Sequence, residues 1–180
     1  MRLFTAISVP GLLSEALGTA AAGLVPNRNS AQRIRWTPPA NMHVTLSFLG
    51  AVDPVRLSEI QHALAQVQAA PFSLTLAGPG VFPHAGVLLA KVHPSPELLS
   101  LAEQVAAALE AIGFPREKRP YQPHVTLART KDRGLSSTTA DNPPAFHETF
   151  HANAFHLYES VTRSEGAQYR ILETYPLDLI

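Results

Sequence analysis

The chain has 180 residues, of which 46% are hydrophobic and 16% charged, a globular and rather apolar composition with enough material for one sizeable core. A formal net charge of zero argues against a broad nucleic-acid face held by a long-range field, and no run reaches the roughly 18 apolar residues of a membrane span. The absence of cysteine excludes a disulfide framework, a thiolate metal site and a cysteine nucleophile, and it fits a cytoplasmic protein.

The first segment, 3–9, alternates like a strand and runs into a helix over 11–24. A secretory signal would fit it poorly, because Arg2 is its only basic residue and Pro10 and Glu15 interrupt the apolar stretch. A strand over 43–49 follows. Asp53 then caps and Pro54 starts a helix over 53–69, with Leu57, Ile60, Leu64 and Val67 on one face. Strands at 72–77 and 86–92 lead to a second capped helix over 95–113. There Ser95 and Pro96 open the helix, Leu99, Ala102, Val105 and Leu109 form its stripe, and Gly113 ends it. A strand over 123–129 is followed by a turn-rich segment, 132–145, that reads as a mobile surface loop. The chain closes on a strand pair near 153–162 and 167–175, turned by Ser164, Glu165 and Gly166. This order predicts one α+β domain over 1–180 with mainly antiparallel sheets.

Charge is neutral overall but clustered. Arg28, Arg33 and Arg35 form one basic stretch; Arg116, Lys118, Arg119, Arg129, Lys131 and Arg133 form another, with only Glu117 and Asp132 among them. Two ordinary solvated loops would explain this if nothing stood beside them.

An internal repeat does stand beside them. His43-Val44-Thr45-Leu46 recurs as His124-Val125-Thr126-Leu127, 81 residues later. Chance recurrence of such a tetrapeptide is on the order of one in 10⁵ before strand composition is allowed for. The bare triplet is weak by comparison: His147-Glu148-Thr149 also matches it, without the apolar anchor. Side chains alternate along a strand, so each histidine shares a face with its threonine while Val and Leu hold the other face to the core. Two such strands side by side would line a cleft between two lobes with two imidazoles and two hydroxyls.

In-line displacement at phosphorus needs a base at the attacking oxygen and an acid at the leaving oxygen, and histidine serves in either part near neutral pH. Thr45 and Thr126 would donate to the phosphoryl oxygens, with a nearby cation offsetting developing charge. This scheme calls for no metal and no cofactor. Arg129 poses a difficulty: it lies five residues after His124, so strict alternation puts it on the wrong face unless the strand bends or ends. Phe48 occupies the same offset after His43 and could stack on a base, although core packing is the expectation for it and for Trp36. Two competing readings remain. A metal hydrolase would draw on His147, His151 and His156, without any His-Glu-x-x-His pattern in support. An RNA-binding module without catalysis would use Trp36, Phe48, Tyr121 and the basic stretches.

The sequence resembles the 2H phosphoesterase superfamily, and within it the bacterial RNA 2′,3′-cyclic phosphodiesterases, also called 2′-5′ RNA ligases. Five stretches carry the resemblance: Arg2 to Ile7; Arg35-Trp36 with Asn41 through Gly50; Gly80-Val81-Phe82-Pro83 with Val87-Leu88-Leu89; Pro123 through Arg129; and Phe155 through Ser160 with Gly166 and Tyr169. The resemblance implies a two-lobed, pseudo-symmetric α+β fold whose antiparallel sheets face a central cleft, with helices outside. It implies His43 as proton donor to the leaving 3′ oxygen, His124 as the base that activates water, and a 2′-phosphate product. The implied partner is RNA ending in a 2′,3′-cyclic phosphate, tRNA fragments included, handled by a monomer. In reverse, the same site would join ends in a 2′-5′ linkage without ATP. Related members acting on small cyclic nucleotides would carry the same motifs.

Overall fold

The computed structural model describes residues 1–23, 34–82, 85–130, 147–163 and 166–178. The expected loop at 132–145, the turn residues Ser164 and Glu165, and the basic residues Arg28, Arg33, Lys131 and Arg133 lie outside the described residues.

Three helices and nine strands are described. In chain order they are β1 (Arg2–Ser8), α1 (Gly11–Ala22), β2 (Ile34–Trp36), β3 (His43–Ala51), α2 (Leu57–Leu64), β4 (Phe72–Phe82), β5 (Val87–Val92), α3 (Pro96–Ala111), β6 (His124–Thr130), β7 (Thr149–Ala152), β8 (Ala154–Arg163) and β9 (Gly166–Pro176). The strands form one sheet in the order β7-β4-β5-β6-β3-β1-β8-β9, with β2 also on β6, and every pairing is antiparallel. The expected α+β class holds.

The sequence repeat sits at the centre of this order. β6 and β3 are neighbours, and outward from them β5 matches β1, β4 matches β8, and β7 matches β9. β3 and β6 meet through one registered pair, Val44↔Val125, both fully buried. Their helices are exchanged: α1 leaves β1 of one half and packs on β6 of the other, while α3 leaves β5 and packs on β3. One face of the sheet carries these helices and the main core, with Leu3, Ile7, Val44, Leu46, Leu88, Val125 and Leu127 turned into it. The other face carries a small second cluster of Phe4, Ala6 and Tyr158.

Helix ends follow the capping residues, with three corrections. Ser95 accepts a hydrogen bond from the backbone N–H of Leu98 and Pro96 opens α3. Asp53 accepts from Val55, but the turn it caps is a 3₁₀ turn over Pro54–Arg56, and α2 proper spans only Leu57–Leu64. The helix expected to run to residue 69 thus stops early, while Val67 still packs against the core from beyond its end. In α3 the core stripe begins at Leu98 and Leu101, and Leu99 is turned outward at 41% exposure. Ala102, Val105 and Leu109 are buried as expected, and only Leu99 is replaced, by its chemically identical neighbour Leu98.

Gly86 closes the β4–β5 connection at φ +60°, and its carbonyl accepts from the N–H of Thr130. A Cβ there would run into the carbonyl oxygen of Thr130, on the strand that carries His124. Gly86→Ala is therefore expected to lower stability by about 1–2 kcal/mol from backbone strain alone, read as a lower urea midpoint at unchanged slope. An unchanged midpoint would refute the steric argument.

Candidate active site

Val44 and Val125 point into the core, so pleating turns His43, Thr45, His124 and Thr126 together onto the opposite, open face. The expected constellation is thus assembled across the junction of β3 and β6. Each imidazole is tethered the same way. His43 Nδ1 lies 2.6 Å from the carbonyl oxygen of Asn41, and His124 Nδ1 lies 2.8 Å from that of Gln122. A carbonyl only accepts, so each Nδ1 carries the hydrogen and each Nε2 is left as the basic nitrogen of the neutral ring. Neither threonine hydroxyl is engaged by another described residue, so both are available to an incoming oxygen.

The two rings sit in different surroundings. His43 is packed among Phe4 (centroids 4.9 Å apart), Tyr169 (5.3 Å, edge-on) and Tyr158 (6.1 Å). His124 meets Phe82 edge-on at 5.1 Å. Burial is the main force holding the His43 pKa down to about 4; the Asn41 carbonyl opposes it, while His124 and Arg129 add repulsion. Burial also lowers the pKa of His124, again against its carbonyl tether and with help from Arg129. Both imidazoles are therefore weak proton acceptors while the site is empty.

Arg129 is exposed and stands on the face of the histidines, and the pairing of β6 explains how. Leu89 is opposite Thr126 and Leu88 is opposite Ala128, leaving Leu127 as an extra residue. This β-bulge buries Leu127 and Ala128 consecutively and returns Arg129 to the side of His124 and Thr126. Strict alternation is corrected by that one residue. The same device recurs in β3. Ala6 is opposite Thr45 and Thr5 is opposite Ser47, leaving Leu46 extra. Phe48 is thereby returned to the face of His43, where it lies 6.2 Å from Phe4 and is 70% exposed. The expectation that Phe48 packs in the core is overturned, whereas Trp36 does pack against it.

Several contributors left little trace in the sequence. The tethers are backbone carbonyls and carry no residue signature. Tyr121 donates its hydroxyl to the carbonyl of Thr45 at 2.8 Å, tying the approach to β6 onto β3. Asn41 donates its side-chain amide to Ala167 at 2.8 Å, anchoring the His43 tether to the last hairpin. His147-Glu148-Thr149 lies at the entrance to β7 on the outer edge of the sheet. Among the described residues, no three His, Asp or Glu side chains gather into a metal-holding group. A groove of about 760 Å³ between α2 and β9, lined by Gln61, His62, Glu173 and Tyr175, holds neither catalytic-type histidine.

The chain matches the model of the 2′-5′ RNA ligase superfamily over residues 25–162. An RNA 2′,3′-cyclic phosphodiesterase of Archaeoglobus fulgidus is 29% identical over 97% of this chain and 99% of its own. One from Thermus thermophilus is 32% identical over 98% and 90%, and one from Escherichia coli is 27% identical over 98% and 96%. Among solved structures, a phosphoesterase superposes with a TM-score of 0.87 at 26% identity, covering 99% of this chain and 98% of its own. Escherichia coli LigT, in a complex with 3′-AMP, superposes with a TM-score of 0.85 at 26% identity, covering 98% and 97%.

The electrostatics of the two rings yield a test that needs no substrate. In a proton NMR titration His43 is expected to titrate near pH 4 and His124 below the ordinary imidazole value. Arg129→Gln removes a positive neighbour that disfavours the charged rings, so both midpoints should move up. A downward or absent shift in both would mean that Arg129 does not face the pair.

Proposed function

Because the chain belongs to the 2′-5′ RNA ligase superfamily, we propose that it is an RNA 2′,3′-cyclic phosphodiesterase that opens the cyclic phosphate at an RNA end to a 2′-phosphate. The observation that carries this reading is the matched pair of imidazoles, each with Nδ1 held by the carbonyl two residues before it, on either side of the junction between equivalent strands.

Water attacks phosphorus as His124 Nε2 takes its proton. The bond from phosphorus to the 3′ oxygen breaks, and His43, protonated, gives its proton to that oxygen. Thr45 and Thr126 donate to the non-bridging oxygens while Arg129 offsets the charge that builds there. Phe48, exposed beside Phe4, offers a ring for a base to stack on. After one turnover the proton sits on His124, and exchange with solvent resets the pair. With a 5′-hydroxyl in place of water as the nucleophile, the same steps join two ends: His124 takes the hydroxyl proton, the bond to the 3′ oxygen breaks, and a 2′-5′ linkage forms. The location we assign is the cytoplasm; among the described residues no helix is long and apolar enough to cross a membrane.

His43→Ala and His124→Ala should each lower kcat/KM on an oligoribonucleotide 2′,3′-cyclic phosphate by about 10²-fold or more. The double variant should lose little beyond the worse single one, because the pair acts as a unit. Roles separate with a substrate whose 3′ oxygen is replaced by sulfur, a leaving group that needs little protonation. It should restore His43→Ala and leave His124→Ala slow. Rescue of His124→Ala instead would exchange the two roles. RNA that binds and is never converted would replace this reading with that of a binding module.

A further inference from the structure

β2 and β3 lie one after the other along the same edge of β6. β5 occupies the opposite edge from His124 to Arg129, so the pairs Val44↔Val125 and Arg35↔Arg129 must share the remaining one. The line of the junction that holds the histidines therefore continues past Thr126 to a second cross-strand pair, of two arginines. Ile34 and Trp36 on either side of Arg35 pack against the core, so Arg35 faces outward with Arg129, and both are exposed.

Two guanidinium groups directly across an antiparallel pair start from Cβ atoms about 5 Å apart and repel one another. No carboxylate among the described residues pairs with either one, although other exposed arginines of the chain are paired, such as Arg119 with Glu117 and Arg170 with Glu159. An arrangement that costs stability and sits at the end of a phosphate-handling line is relieved by anions.

On the cyclic phosphodiesterase reading, on which this rests, we propose that Arg35 holds the internucleotide phosphodiester next to the reacting group while Arg129 serves the cyclic phosphate itself. A 2′,3′-cyclic end has no chain on its 3′ side, so the only neighbouring phosphate is the one on the 5′ side of the terminal nucleoside. Arg35 thereby selects RNA chains over cyclic mononucleotides. It is a specificity residue, and its partner is the charge of that phosphodiester.

The test is a cycle of one protein change and one substrate change. The parent and Arg35→Gln, which keeps most of the side-chain stem, are assayed on a dinucleotide ending in a 2′,3′-cyclic phosphate. The same assay uses its analogue with an uncharged methylphosphonate at the internucleotide position. In the parent, removing that charge should lower kcat/KM about tenfold or more, as expected for one charge-assisted contact. In Arg35→Gln it should have almost no effect. Equal losses in both proteins, or no loss in the parent, would overturn the assignment of Arg35 while leaving the hydrolysis intact. If the parent converts neither dinucleotide, the phosphodiesterase reading itself falls and takes this assignment with it.

Discussion

The site depends on the contact between β3 and β6. Only Val44 and Val125 are in register there, and one ladder pair contributes on the order of 1 kcal/mol net. The alignment of the histidines must therefore be held by what surrounds the pair. Three features do so. The two valines are fully buried in the main core; the helices are exchanged, so each half is covered by a helix from the other; and Tyr121 reaches from the threshold of β6 to the backbone of Thr45. Separating the halves would expose core on both sides. The distance between the imidazoles is thus fixed by the burial of the whole domain, which a weak local contact alone could not achieve.

Given that alignment, two extra residues decide what surrounds the histidines. Without the bulge at Leu127, Arg129 would face the helices as a buried unpaired cation, which is strongly unfavourable. Without the bulge at Leu46, Phe48 would face the core and the open face beside His43 would lose its exposed ring. The bulges fall at the same place in both repeats, three residues after each histidine. Equivalent strands thus deliver chemically different groups, an aromatic ring on one side and a cation on the other. Aromatic side chains gather around His43, while Arg35 and Arg129 stand at the far end of β6. On the proposed function, that polarity would give an RNA end a direction, with bases toward one half and phosphates along the line of the other.

The sequence made the tetrapeptide repeat, the strand periods and the capping residues legible, because each depends on side chains within a few positions of one another. His43, Thr45, His124 and Thr126 were found from that local pattern and share one face in the fold. What escaped was non-local or carried by backbone. A bulge is a property of two strands together, so nothing in 124–130 alone reports that Leu127 lacks a partner. The carbonyls of Asn41 and Gln122 have no residue signature, and the pairing of Arg35 with Arg129 spans 94 positions. The end of α2 failed for a related reason: Val67 keeps the apolar spacing and packs on the core after the helix has stopped.

The low proton affinity of the pair follows from the same construction. Desolvation is the largest cause at both rings, and Arg129 adds to it. A group designed to give up a proton to an alkoxide gains from being a strong acid, provided something puts the proton on it first. A bound phosphate anion does so: its charge offsets Arg129 and favours the imidazolium over the neutral ring. By linkage, an anion that raises the proton affinity of the pair must itself bind more tightly as the pair becomes protonated. On the proposed mechanism, substrate binding and arming of the acid would thus be one event. Desolvation, to which Arg129 adds, keeps the proton affinity of the empty pair low, so on the proposed mechanism the acid would be assembled only around the phosphate it cleaves.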